Sequence, residues 1–331
     1  MNRSPDRVAL LGECMLELVH DTSNEGIDRA FTMGFGGDTL NTAVYMARLG
    51  SSVDYVTALG DDPHSDRMVS AWKDEGVGCD LVARIAGRVP GLYMIETDDK
   101  GERRFLYWRD QAPARELFTL PTAKDMMERL MGFGMLYLSG ISLAIWGKTG
   151  RAVLLPFLDR FRAEGGLVAF DTNWRPRLWP DLDTAQAAYE AIYARSDILL
   201  PGVEDIRQLH GDADQSAVLA RMTAYGAREV ILKQETPGCL VISGGQTVPV
   251  PALADVTVID TTAAGDSFAA GYLSRRATLG PVAAANVASH LAACVIGHRG
   301  AIIPRSAMPT WSDDPIDPTD FPPKGASLES S

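Results

Sequence analysis

Apolar stretches with the character of strands alternate along the chain with stretches whose apolar residues recur every three to four positions. Arg7–Val19 predicts a buried strand that continues outward, and Thr39–Gly50 places Leu40, Val44 and Ala47 on one helical face. The same alternation returns in the second half of the chain. It is typical of a mostly parallel sheet with helices on both faces. The pattern therefore predicts an α/β fold with no internal repeat and no second domain core.

The alternation is interrupted at about residues 81–110. Strand-like segments follow one another there, and Asp98–Gly101 predicts the turn of a β-hairpin. A hairpin at this place predicts a small β lid that projects over one edge of the main sheet. Near the end the chain is rich in Pro, Asp and Ser, which predicts a disordered tail at residues 311–331. The expected organisation is one domain over residues 1–310, followed by this tail.

The composition narrows the class of protein. The chain has 46% hydrophobic and 22% charged residues and a formal net charge of -12, which argues against binding to nucleic acid or to anionic membranes. No apolar run approaches the roughly 20 residues of a membrane span, and the N-terminus lacks the apolar region of a signal peptide. The four cysteines form no CxxC pair and the histidines have no ligand spacing. We expect a cytoplasmic protein with reduced thiols and no structural metal.

The segment DTTAAGDSFAAGYL carries the first candidate chemistry. Asp266 opens a predicted helix at the carboxyl edge of the sheet, where open α/β sheets bind their ligands. Ala263, Ala264 and Gly265 are small, so backbone N–H groups at the helix start can approach an anion such as a phosphate. Asp266, kept ionised by the helix terminus, could accept a proton from an attacking hydroxyl, unless the position needs it only as a helix cap.

Two further motifs are predicted at the same edge. In MGFGGDTLN, Gly36 and Gly37 leave backbone exposed before a helix, and Asn41 is a polar residue one turn into that helix. The alternative for this motif is a tight loop with a capped helix. In FDTNWRPRLW, Asn173 and Arg175 follow a predicted strand, and an arginine at a strand end favours anion binding over a purely surface role.

One face of the predicted hairpin combines arginines with aromatic rings. Side chains alternate along a strand, so Arg103, Phe105, Tyr107 and Arg109 share a face, and Tyr93 can join them from the partner strand. Arginines interleaved with aromatic rings suit a hydroxylated ligand that carries a carboxylate. The alternative is a cross-strand aromatic pair on a solvated sheet.

GGDTLN and DTTAAGD, in this order in one chain, resemble the signatures of the PfkB, or ribokinase-like, family of carbohydrate kinases. The resemblance extends from about Val8 to Pro304, and GECMLEL, GLYMIETDDKGERRFLYWRD and RPRLW are most similar to the bacterial kinases of 2-keto-3-deoxygluconate (KDG). It implies a ribokinase-like three-layer α/β fold with a small β lid, and ATP-dependent phosphorylation of KDG at its 6-hydroxyl. A related hexose or hexonate kinase such as a fructokinase, and a non-catalytic sugar-acid sensor, stay open as alternatives.

The resemblance also implies roles for individual residues. Asp266 is implied as the base, with the backbone of Ala263, Ala264 and Gly265 as the anion hole for the γ-phosphate. Substrate contacts are implied for Gly36, Gly37, Asp38, Asn41, Tyr93, Tyr107, Arg109 and Arg175. Nucleotide contacts are implied for Asn173, Lys233, Gly238 and Asn286. The implied cofactors are ATP and Mg²⁺, the metal held through water by Glu204; a monovalent cation and a homo-oligomer stay open.

Three positions depart from the family pattern. Ala263 stands where glycine is common, which keeps an N–H in place unless the position needs positive φ. Glu17 replaces the aspartate that binds sugar hydroxyls in ribokinases, which disfavours ribose and fructose as substrates. Pro201 replaces the asparagine of the N-x-x-E magnesium motif, although Glu204 is kept.

Overall fold

The computed structural model of the protein describes residues 3–20, 30–97, 103–234 and 238–309. Its strands form a nine-stranded sheet and a separate four-stranded sheet. The turn predicted at Asp98–Gly101 and the tail predicted at 311–331 lie outside the described residues. None of the helices in the described ranges combines the length and the apolar character needed to span a bilayer.

The elements alternate along the chain as the sequence pattern predicts. In chain order, the strands are β1 (Ser4–Leu11), β2 (Met15–His20), β3 (Phe31–Gly36), β4 (Ser52–Gly60), β5 (Gly78–Ile85), β6 (Leu92–Thr97), β7 (Arg103–Trp108), β8 (Phe133–Ser139), β9 (Leu167–Asp171), β10 (Ile198–Leu200), β11 (Glu229–Lys233), β12 (Gly238–Ser243) and β13 (Gln246–Pro251). The α-helices are α1 (Asp38–Arg48), α2 (Pro63–Asp74), α3 (Ala123–Leu130), α4 (Gly140–Ile145), α5 (Gly147–Ala163), α6 (Leu182–Tyr193), α7 (Val203–His210), α8 (Gln215–Ala224), α9 (Ala264–Leu279) and α10 (Pro281–Ile296). Short 3₁₀ helices cover Pro113–Glu116, Pro176–Leu178 and Arg305–Ala307.

The large sheet is mostly parallel and is covered on both faces. Its order is β13-β12-β11-β10-β9-β8-β1-β4-β5, and only the β11–β12 and β12–β13 pairs among its described strands are antiparallel. Val8 and Leu10 pack into a core with α1, α2, α9 and α10, whereas Ala9 and Leu11 pack into the opposite core with α3 to α8. Because successive side chains of a strand point to opposite faces, a strand buried on both faces is apolar throughout. The predicted three-layer α/β fold is confirmed.

The four-stranded sheet differs from the predicted lid hairpin in its extent. Its order is β3-β2-β6-β7, so the first two strands after β1 supply half of it. Leu81–Ile85, expected within the lid, lies instead in β5 and pairs with β4 at the edge of the large sheet. The chain leaves β1 at Gly12, where a Cβ atom would clash with the hydroxyl of Thr39. Gly12 and Glu13 interrupt the apolar pattern at this point, and the prediction of one continuing strand over Arg7–Val19 overlooked that interruption.

Candidate active site

Asp266 lies in the first turn of α9 and is held from α1. Asn41 donates its side-chain amide to Oδ2 of Asp266 over 2.8 Å, and the Thr42 hydroxyl donates to the backbone carbonyl of Asp266 over 3.2 Å. Ala263 occupies the N-cap position of α9, and no side chain caps this helix. Asp266 therefore does not serve as a simple helix cap, and the two glycine-containing motifs meet at its carboxylate.

The pKa of Asp266 is raised from the ordinary 3.8 to about 7. Desolvation is the largest cause, and the negative charge of Asp38 and then that of Asp171 add to it; the hydrogen bond from Asn41 and the Lys233 ammonium act in the opposite direction. A carboxylate with this pKa is only partly ionised at neutral pH, so the helix terminus by itself does not keep Asp266 fully ionised. A carboxylate whose pKa lies near neutral pH is well matched to accept a proton in a reaction.

The loop before α9 presents backbone N–H groups. Ala263 adopts the left-handed conformation, with φ 59° and ψ 17°, so this position does need positive φ and an alanine occupies it. The N–H of Ala264 donates to the carbonyl of Thr261 over 3.2 Å. Among the described residues, the N–H groups of Ala263, Gly265 and Asp266 have no hydrogen-bond partner and are available to an anion.

A cavity of about 630 Å³ borders this loop. Ala264 and Gly265 line it together with Lys233 and Gly238, and α10 contributes an apolar wall. An apolar cavity that ends at an anion-binding loop suits a ligand with a flat, weakly polar part and a phosphate chain. The wall from α10 is formed by Ser289, Ala292, Ala293 and Ile296.

Two hydrogen-bonded pairs lie at the strand ends, one to the glycine-rich turn and one between two strands. Asn173, just beyond β9, donates its side-chain amide to Oδ2 of Asp38 over 2.8 Å. Lys233, at the end of β11, donates to both carboxylate oxygens of Asp171 at the end of β9, each over 2.9 Å. The carboxyl ends of the central strands therefore converge on the surroundings of Asp266, as parallel-sheet topology predicts.

The predicted aromatic face is present on the small sheet. The rings of Tyr93, Phe105 and Tyr107 lie with centroids 6.0 to 6.4 Å apart, and Tyr107 is 51% exposed. The Tyr93 hydroxyl donates to a carboxylate oxygen of Glu17. A Cβ atom on Gly36 would clash with that hydroxyl, so a side chain at this position would displace the tyrosine. The structure does not describe the side chain of Arg103.

Arg109 is part of a buried ion pair. It is 8% exposed, Glu13 is 2% exposed, and Nη2 of Arg109 donates to Oε2 of Glu13. Desolvation raises the pKa of Glu13, with the nearby guanidinium acting against this shift. Oε1 of Glu13 and Nε of Arg109 are buried without a hydrogen-bond partner among the described residues. A Cβ atom on Gly37 would clash with the Glu13 carbonyl, which ties the glycine-rich turn to this pair.

Comparison with known proteins agrees with this geometry. The model for "pfkB family carbohydrate kinase" matches residues 5–308. The chain belongs to the pfkB family of carbohydrate kinases. It is 47% identical to the 2-dehydro-3-deoxygluconokinase of Dickeya dadantii (91% of this chain, 98% of that one) and 47% identical to that of Escherichia coli K12 (92% and 99%). The crystal structure of a PfkB protein from Polaromonas sp. JS666 superposes with a TM-score of 0.77 at 26% identity, covering 88% of this chain and 95% of that one.

Three residues predicted for the kinase site make hydrogen bonds to residues close by in the sequence. Arg175 is exposed and donates to the carbonyl of Trp174 over 2.7 Å. Asn286 does not line the cavity; its amide donates to a carbonyl one turn earlier in α10 over 3.3 Å. The Glu204 side chain is 60% exposed and accepts from Gln208 in its own helix over 2.8 Å. A position in sequence at a strand or helix end does not fix where a long side chain points.

Sequence reasoning missed Asp171 and Glu13 in this kinase. Asp171 is 4% exposed and Glu13 is 2% exposed, and both are partners of predicted basic residues. A signal was present for each, because a carboxylate follows directly on the apolar run of β9 and stands just past the end of β1. Charged residues are rarely this buried unless they are paired.

Proposed function

We propose that this kinase transfers the γ-phosphate of ATP to the terminal 6-hydroxyl of KDG, giving 2-dehydro-3-deoxy-6-phosphogluconate. The observation that carries the proposal is the Asn41-held carboxylate of Asp266 beside the donor loop that opens α9. In the reaction the hydroxyl oxygen of the substrate forms a bond to the γ-phosphorus, and the bond from that phosphorus to the bridging oxygen of ADP breaks. The hydroxyl proton goes to Asp266, whose pKa of about 7 suits both uptake and release.

The cavity next to the loop is the proposed nucleotide site. Its apolar wall from α10 would hold the purine base of ATP. The polyphosphate would run past Lys233 towards the N–H groups of Gly265 and Asp266. Backbone donors and the positive end of α9 stabilise negative charge on the transferring phosphoryl group. We keep Lys233 and Gly238 as nucleotide contacts in this proposal and do not assign that role to Asn286.

The residues described around this site offer Mg²⁺ no set of protein ligands. Among the described residues there is no group of three or more His, Cys, Asp or Glu side chains that could hold a metal, and Glu204 is engaged on the surface of its own helix. A contact of Glu204 to Mg²⁺ through water needs no such group and stays part of this proposal. Mg²⁺ binds readily to substrate phosphates with several of its waters retained, so it is proposed to enter with ATP.

The sugar acid is proposed to bind between the small sheet and the glycine-rich turn. Tyr93 and Tyr107 would cover the sugar acid. Arg109, whose Cζ atom lies 5.8 Å from the centroid of the Tyr107 ring, would bind its carboxylate. The relatives that are 47% identical over almost their whole length are named 2-dehydro-3-deoxygluconokinases, which supports KDG over a neutral hexose. Unpaired cysteines at all four positions support a reducing compartment such as the cytoplasm.

An ADP-release assay tests the proposal. With Mg·ATP and equal concentrations of KDG, fructose, ribose and gluconate, KDG is expected to give by far the highest kcat/KM. Asp266→Asn is expected to lower kcat by about 10²- to 10⁴-fold, the usual contribution of a general base. Asp181→Asn is the matched control, because Asp181 also stands at a helix start but only caps α6. Faster turnover of fructose would favour the hexose-kinase alternative, and no turnover of any sugar would favour a sensor.

A further inference from the structure

The ion pair between Lys233 and Asp171 is buried at the carboxyl edge of the large sheet. The side chains are 24% and 5% exposed, and the ammonium contacts both carboxylate oxygens at 2.9 Å. β9 and β11 are separated by β10 alone, so the pair bridges across a strand of three residues. A buried ion pair contributes little net stability, because desolvation of both charges offsets their attraction. Its presence here therefore needs another reason.

The position of Lys233 supplies that reason. Lys233 lines the cavity that borders the loop before α9. A Cβ atom built on Gly265 would lie 3.8 Å from its Nζ atom, so the ammonium stands beside the backbone donors of that loop. Without a fixed partner, the flexible four-carbon stem of a lysine samples many rotamers. Two equal contacts to Asp171 confine the ammonium to one place.

We propose that Asp171 and Lys233 form a positioning pair for phosphoryl transfer, in which Asp171 fixes the Lys233 ammonium beside the loop that opens α9. There it faces both the moving phosphate and the carboxylate of Asp266. The proposal rests on the proposed function and adds Asp171 to the site as a positioning residue. Lys233 then serves the reacting phosphoryl group, in addition to its place in the wall of the nucleotide cavity.

The pair also has an electrostatic effect on Asp266. The titratable groups that act on or are acted on by this carboxylate are Asp38 and Tyr45 of α1, Tyr137 of β8, Asp171 of β9 and Lys233 of β11. Asp171 raises the pKa of Asp266 and Lys233 lowers it. While both are charged, their contributions oppose each other, and the pair as a whole is neutral.

Removal of one charge and removal of both charges are expected to affect the pH profile differently. Asp171→Asn leaves the Lys233 ammonium uncompensated, which is expected to move the acid limb of the pH profile of kcat/KM to lower pH by about one unit. Asp171→Asn combined with Lys233→Met removes both charges, so the acid limb is expected to return towards that of the wild type while kcat stays at least tenfold lower. Ionisation of ATP and of the sugar acid is common to all the proteins and cancels in the comparison.

Glu229→Gln is the matched control. Glu229 is a buried carboxylate at the other end of β11, paired with Arg276, and its replacement removes a similar ion pair away from the site. It is expected to lower the Tm without moving the acid limb. An unchanged limb in Asp171→Asn, or a double variant displaced further than the single one, would overturn the proposal. If Asp266→Asn retained turnover, the assignment of the base would fail, and this inference with it; an inactive Asp266→Asn with an unmoved Asp171→Asn limb overturns the inference alone.

Discussion

Asn41 and Asp266, 225 residues apart in the sequence, are joined by a hydrogen bond of 2.8 Å between the side-chain amide and the carboxylate. The bond connects the first turns of α1 and α9, which pack against each other on one face of the large sheet. A carboxylate on a helix is thus oriented by a neighbouring helix and not by its own N-terminus. The orientation of the proposed base therefore depends on the packing of these two helices.

Replacement of Asn41 should shift the pH profile of the reaction. A base acts in its ionised form, so activity of the wild type is expected to rise with pH up to about 7, the pKa of Asp266, and then to level off. The amide of Asn41 stabilises the ionised form, and Asn41→Ala therefore moves the acid limb to higher pH and lowers activity most at pH 6. Gln186→Ala is the control, because it removes a hydrogen bond from a side-chain amide of α6 to the carbonyl of Leu209. A limb that moves to lower pH would contradict this assignment.

Removal of Arg109 should destabilise the protein through Glu13. Arg109→Met leaves a buried carboxylate without its partner, at an expected cost of about 3–5 kcal/mol in the free energy of unfolding measured with urea. Adding Glu13→Gln removes the stranded charge and should recover most of this loss. Neither variant should regain the preference for KDG over fructose, because both lack the guanidinium. Recovery of that preference in the double variant would remove Arg109 from the substrate site.

Glycine substitutions at Ala263 and Ala264 should change the free energy of unfolding in opposite directions. Ala263 has φ 59°, a left-handed conformation that costs a non-glycine residue about 1–2 kcal/mol. Replacement by glycine removes this cost, but the larger entropy of glycine in the unfolded state offsets part of the gain. Ala263→Gly is therefore expected to raise the free energy of unfolding by up to about 1 kcal/mol with turnover retained. Ala264→Gly, at the first residue of α9, should instead lower it, by at most about 0.5–1 kcal/mol, the cost of glycine within a helix. Equal losses in both variants would show that φ at residue 263 is not strained.

Filling the cavity should weaken nucleotide binding selectively. Ala293 lies in its wall, and Ala293→Phe is expected to raise the KM for ATP at least tenfold while the KM for KDG changes little. Asn286→Phe places the same ring in the same helix but away from the lining residues, and it should leave both KM values close to wild type. If Asn286→Phe had the larger effect, the purine base of ATP would lie against the earlier turn of α10 that carries Asn286.

The sequence by itself determined the layers of the fold and the location of its chemistry. Strand segments buried on both faces, such as Val8–Leu11 in β1, are apolar at every position, and helices that cover them must be amphipathic, so the alternation along the chain predicts the three layers. The topology then brings the carboxyl ends of parallel strands to one edge. This is why Asp266 and Asn41 could be assigned to one edge from their positions, whereas Lys233 was assigned only through the family resemblance.

Only the tertiary structure decided how these groups are charged and paired. The pKa of Asp266 depends on desolvation and on Asp38 and Asp171, which come from distant parts of the chain. The partner of Arg109 is Glu13, 96 residues earlier, and the strands β2 and β3 join a sheet that their own pattern did not indicate. Local pattern reports the periodicity of burial, whereas a side chain's partner and its proton affinity arise from charges and solvent exclusion that exist only once the chain has folded.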